Sequence, residues 1–163
     1  MRELDPESAG DHIDALFRAA CAMSGSRQIA EDLVQETYVK VLSRPRLLRR
    51  DDDLAYLLKA LRNTWYGHLR HERVRREVTD PASPPPDDLA ARSSRGDPQA
   101  SLEAAEVLTT LAELPEPYRE ALAAVDVAGL SYAEAARALG VRKGTVMSRL
   151  HRGRDQLARS LGG

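Results

Sequence analysis

Residues 79–101 read TDPASPPPDDLAARSSRGDPQAS and hold five of the nine prolines, mixed with Ser, Asp and Gly. Proline lacks a backbone donor and fixes its own φ, so such a stretch neither continues a helix nor buries a core. It reads as a flexible linker. Fully stretched, its 23 residues span roughly 80 Å, and as a coil on the order of 26 Å. The chain of 163 residues is thereby split into flanks at 1–78 and 102–163, each the size of a small module. Two such modules on this tether can reach sites two turns of DNA apart.

Both flanks carry helical periodicity. Ile13, Leu16, Phe17 and Ala20 recur at helical spacing, as do Leu33, Val34, Thr37, Tyr38, Val41 and Leu42 up to Pro45. A third run passes through Leu54, Leu57, Leu58, Leu61, Trp65 and Leu69. After the linker, helices are expected over Leu102–Glu113, from Pro115, after Ser131 and from about Arg142. The alternation of strands is absent, and only seven residues are aromatic, which suits helices built on Ala and Leu. The expected fold is all-α: two small helical domains joined by the Pro-rich linker. No apolar run approaches the ~20 residues of a membrane span, so membrane insertion is not expected. The opening residues lack a basic-then-apolar pattern, and one cysteine, Cys21, excludes an intramolecular disulfide. These features point to the cytoplasm.

Charge nearly cancels, 24 Lys and Arg against 25 Asp and Glu, but it is not evenly spread. Arg62–Arg76 holds five Arg against one Glu, and Arg142–Arg159 holds six basic residues against Asp155 alone. Two separated basic stripes suggest two contacts with a polyanion.

The second stripe lies in LSYAEAARALGVRKGTVMSRLHRGRDQL. Ser131 is a helix N-cap with Glu134 completing a capping box. Ala136 is small where two helices would cross, and Gly140 can end the first helix in the left-handed conformation. This is the spacing of a helix-turn-helix. On a wheel, Val146, Leu150 and Leu157 fall within ~40° and form the buried stripe. Thr145, Ser148, Arg152 and Asp155 face away, with Met147, Arg149 and His151 at the edges. Short polar groups and Arg can read base edges in a major groove, and Arg142 and Lys143 can clamp phosphate. Gly153 sits oddly in this helix, where it costs ~1 kcal/mol relative to Ala. An ordinary helical hairpin with a solvated basic face is the plainer reading of the same residues.

In the first stripe, Leu54, Leu57, Leu58, Leu61 and Trp65 share one helix face, while Lys59, Asn63, Tyr66, Arg70 and Arg73 share the opposite one. Amide, aromatic ring and cations together suit capture of a single strand, by stacking, base-edge bonding and phosphate neutralisation. Arg62 opens the same basic run. Trp65 belongs to the core side, and Tyr66 is the stacking candidate. A separate helix, AEDLVQETYVKVL, presents Glu31, Asp32, Gln35 and Glu36, which suits a protein dock better than DNA. Plain solvation accounts for either face taken alone.

AEDLVQETYVKVL, LAYLLKALRNTWYGHLRHERVRR, the Pro-rich gap and LAELPEPYREALAAVDVAGLSYAEAARALGVRKGTVMSRLHRGRDQL together resemble, in order and spacing, the extracytoplasmic-function (group IV) sigma factors of bacterial RNA polymerase. The resemblance implies a promoter-specificity subunit without enzymatic activity or cofactor. Its first module, region 2 (1–78), would dock on the polymerase clamp helices through Asp32, Gln35 and Glu36. It would capture the unpaired minus-ten strand through Lys59, Arg62, Asn63, Tyr66, Arg70 and Arg73, with Asn63 at the pocket for a flipped base. Its second module, region 4 (102–163), would bind the polymerase flap. It would read the minus-thirty-five duplex through Arg142, Lys143, Thr145, Met147, Ser148, Arg149 and Arg152. An anti-sigma protein is a further partner the family often has. Two departures stand out: the loop Ser43–Asp53 lacks the aromatic residue common there, and Met147 stands where a basic residue is common.

Two other classes remain to be weighed. A helix-turn-helix regulator that never joins polymerase explains 102–163 but leaves the Asn63 face and Asp32, Gln35 and Glu36 without a role. A helical enzyme finds little support, because His12, His68, His71 and His151 are scattered and His68 and His71 have no carboxylate or Cys set to complete a metal site.

Overall fold

The computed structural model describes residues 2–44, 46–48, 52–79 and 98–162. The expected linker lies outside them, except that its last residues, from Pro98, are helical.

The first half is built on three long helices. A short strand β1 (Arg2–Glu3) and a single turn α1 (Pro6–Gly10), capped by the Asp5 carboxylate, lead into α2 (Ile13–Ser24). Gly25, at φ 70°, ends α2 with its N–H on the Cys21 carbonyl; only glycine takes that left-handed turn without strain. Ser26 then caps α3 (Arg27–Ser43), accepting from the Ile29 amide. Strand β2 (Leu47–Leu48) pairs antiparallel with β1, Arg2 opposite Leu48, and α4 (Asp53–Thr79) follows. A two-residue ladder is too short for any alternation to announce it. It is pinned by Arg2, which reaches both oxygens of the buried Asp53 carboxylate at 2.8 Å, while the Ser8 hydroxyl donates to the same group. A carboxylate at the first residue of α4 also complements the helix dipole.

The second half runs α5 (Pro98–Glu113), α6 (Glu116–Leu122), a π-helical segment Ala123–Val127, α7 (Tyr132–Leu139) and α8 (Lys143–Gly162). The capping box is present: the Ser131 hydroxyl accepts the Glu134 amide and the Glu134 carboxylate accepts the Ser131 amide, both at 3.1 Å. Gly140 takes φ 69° and the chain turns into α8. The π segment is a feature that 3.6-residue periodicity does not signal.

Leu16, Met23, Leu33, Leu57, Leu58 and Leu61 fill the first core; Leu122, Val146 and Leu150 anchor the second. Each such side chain contributes about 1.5–3 kcal/mol. Ile13 and Leu42, expected on apolar stripes, are instead exposed. The five consecutive residues Ala19–Met23 are all buried. A helix apolar on every side must be covered on every side. Accordingly α2 packs on α3 and α4 with one face and on α5, α6 and the π segment with the other, and α4 also meets α7. The two helical modules are present, and they touch.

Candidate nucleic-acid interface

On α4, one face enters the core through Leu57, Leu58 and Leu61, so the opposite face must look outward. Lys59, Asn63, Arg70 and Arg73 are exposed, and Arg62 and Tyr66 are half-buried. Asn63, Tyr66, Leu69, Arg70 and Arg73 line an open cleft of roughly 460 Å³. Trp65 packs against the core, as its wheel position required. Its indole N–H has no hydrogen-bond partner among the described residues.

The cleft has a wall that sequence spacing did not supply. Glu116, on α6, closes one side and accepts the Tyr66 hydroxyl. One turn on, the buried Glu120 carboxylate accepts Arg62 Nε at 3.0 Å. Burial pushes the Glu120 carboxyl up from its ordinary value, and Arg62 opposes that rise. The Arg62 guanidinium lies 4.9 Å from the centre of the Tyr66 ring, within cation–π range. Glu116 and Glu120 are the site residues that sequence reading missed. The signal available was their i, i+4 spacing, which puts two carboxylates on one helix face.

The face of α8 follows the wheel. Val146 and Leu150 are buried, and Arg142, Lys143, Met147, Ser148 and Arg152 are exposed. Thr145 and Arg149 are half-buried at its border. Met147, 49% exposed, is an apolar side chain held in water. Gly153 gains an explanation: a Cβ there would stand 3.2 Å from both Leu122 Cδ1 and Tyr118 Cβ. The helix accepts the glycine because α6 crosses at that point.

On α3, Asp32 and Gln35 are exposed and Glu36 is half-buried. Glu36 bridges Lys40 at 3.0 Å and His68 of α4 at 2.7 Å. The His68 hydrogen bond is the main reason the Glu36 carboxyl sits below its ordinary value. Glu36 is therefore tied to the helix that carries Asn63, while Asp32 and Gln35 project freely. The structure thus gathers the first stripe on α4, the second on α8 and the acidic group on α3, as three separate faces. Among the described residues no three His, Cys, Asp or Glu side chains are placed to hold a metal ion, and no helix is long and apolar enough to cross a membrane.

Comparison with known proteins covers both halves. The family description "Sigma-70 region 2" matches residues 9–75 and "Sigma-70, region 4" matches residues 104–157. The ECF RNA polymerase sigma factor SigE of Mycolicibacterium smegmatis is 34% identical over 160 residues, covering 93% of this chain and 59% of that protein. The ECF RNA polymerase sigma factor EcfG of Rhodopseudomonas palustris is 35% identical over 149 residues, covering 90% and 78%. Among solved structures, the sigma factor RpoE in complex with the anti-sigma factor NepR, from Bartonella quintana, superposes with a TM-score of 0.78 at 27% identity, covering 96% of this chain and 95% of that one.

Proposed function

The chain belongs to the extracytoplasmic-function family of RNA polymerase sigma factors, and from that premise we propose how its faces divide the work of promoter recognition. It joins core RNA polymerase and directs initiation, region 2 taking the minus-ten element and region 4 the minus-thirty-five element. The finer placement in group IV is supported by the region matches, which follow one another with only residues 76–103 between them. We divide the chain into a minus-ten module (1–78), a tether (79–101) and a minus-thirty-five module (102–163). The protein works in the cytoplasm, beside its polymerase, and performs no catalytic step of its own.

The observation that carries this reading is that each basic stripe lies on a helix whose other face is locked in a core. On α4, Asn63 has both a donor and an acceptor for the edge of an unpaired base, beside the open cleft lined by Tyr66, Arg70 and Arg73. Extracting a base costs a few kcal/mol of stacking, which ring stacking on Tyr66 and phosphate contacts from Lys59, Arg62, Arg70 and Arg73 offset. On α8, Thr145, Met147, Ser148, Arg149 and Arg152 face base edges while Arg142 and Lys143 hold phosphate near the helix start. Asp32, Gln35 and Glu36 dock on the clamp helices, and region 4 on the flap. An anti-sigma protein is a natural partner, since the superposing RpoE was solved with one.

Run-off transcription with purified core polymerase on a genomic fragment library tests the whole assignment. Specific transcripts are expected, and Asn63→Ala should impair strand opening by about tenfold, roughly 1.4 kcal/mol, while leaving duplex binding near wild type. Equal loss in both assays removes the base-capture role. Absence of any stable complex with core polymerase rejects the sigma reading in favour of a helix-turn-helix regulator.

A further inference from the structure

We propose that this sigma factor carries its own latch: carboxylates of the second half occupy the strand-binding face of α4 and must leave before promoter DNA can enter. The inference rests on the reading of α4 as the single-strand site. Three polar contacts cross between the halves along that helix. Asp52, just before α4, receives Arg137 of α7 at 2.7 Å. Ten residues on, Arg62 is held by Glu120 of α6. A further turn along, the Tyr66 hydroxyl is held by Glu116, also of α6.

The chemistry of these contacts imitates the ligand. A carboxylate oxygen offers Arg62 the same anionic acceptor that a phosphodiester oxygen would offer. Side-chain exposures of 27% for Arg62 and 6% for Glu120 leave no room for a second anion on that Nε. The Tyr66 ring is covered on one face by the Arg62 guanidinium, so a base cannot stack there while the arginine holds its place. Glu116 lines the same cleft as Asn63, Arg70 and Arg73. Carboxylate and DNA therefore exclude each other.

The latch is built to be opened. An ion pair withdrawn from water gains little net free energy, because desolvation offsets most of the attraction, and the Asp52–Arg137 pair at the rim is worth less still. A closed form favoured about tenfold weakens apparent DNA affinity about tenfold. A partner that grips the two halves at separate places can release the latch without touching Glu116 or Glu120.

The test is binding of a fluorescent mixed-sequence single-stranded 20-mer to the full chain without polymerase, read by anisotropy. Glu116→Gln/Glu120→Gln should bind about tenfold more tightly than wild type, with a larger radius of gyration in small-angle scattering. Glu103→Gln/Glu106→Gln, which removes the same charge from the exposed side of α5, should change little. Arg137→Asp should tighten binding about twofold to threefold, and adding Asp52→Arg should cancel that gain although it adds positive charge beside α4. If the Glu116/Glu120 pair of changes unfolds the chain, the rim exchange decides. No gain in the folded latch variants, an equal gain in the α5 control, or no cancellation on charge exchange overturns the latch. Run-off transcription by the wild type with core polymerase keeps the two readings apart. Activity there without the gains rejects the latch alone, and no activity rejects the sigma assignment.

Discussion

At the scale of single residues, Gly153 and Cys21 show what a sequence does and does not disclose. Gly153 looks like a flaw in α8 until Tyr118 and Leu122 are placed 3.2 Å from its missing Cβ. Gly153→Val should therefore cost about 2–3 kcal/mol in a thermal melt, although a side chain favours a helix over glycine. Cys21 reads from sequence as a small core residue, and it is one. Burial pushes its thiol from 9.0 up to about 11, and burial likewise pushes the Tyr38 phenol from 10.0 up to about 12. Both groups are neutral at physiological pH, and in both the folded-state value is raised. Their stabilisation is therefore complete below the unfolded value and is lost as pH climbs through the folded one. Urea unfolding should show stability falling from pH 9 to 12, and Cys21→Ala should flatten the part between 9 and 11 while leaving the Tyr38 part.

At the scale of elements, the helices that carry the site were legible because apolar spacing and capping chemistry act locally. Ser131, Glu134, Ala136 and Gly140 lie within ten residues, and each has a conformational preference that needs no distant partner. The same local logic separates Arg152 from Val146 on α8, and it predicts that Arg152→Ala lowers affinity for the upstream duplex by about 1–3 kcal/mol if the guanidinium reads a base. A binding titration against single-base variants of the element checks this: preference should relax at one position only, and unchanged preference everywhere removes the role. The start of α5 at Pro98 and the π segment Ala123–Val127 were not legible. Proline tolerates a first helical turn, so its presence did not mark the boundary, and a π turn leaves the apolar count unchanged.

At the scale of the whole molecule, contacts between residues 50 or more apart leave no trace in periodicity. Arg62 and Glu120 each read as ordinary surface charges until the fold brings them together. What sequence did disclose is that α2 lacks a polar face from Ala19 to Met23, which already demands packing on two sides. The acidic face of α3 is a separate matter, since Asp32 stays exposed in the closed arrangement. Asp32→Lys should weaken binding to core polymerase by about tenfold, the scale of an interfacial charge reversal, with an unchanged melting temperature. Wild-type affinity in a pull-down would free that face from the docking role. The pairing of Arg2–Glu3 with Leu47–Leu48 bears on anyone who expresses this protein. A purification handle fused at the front emerges beside the loop that leads into the base-recognition helix, whereas one fused at the back leaves from the exposed end of α8. Reporter dyes and affinity tags belong at the back.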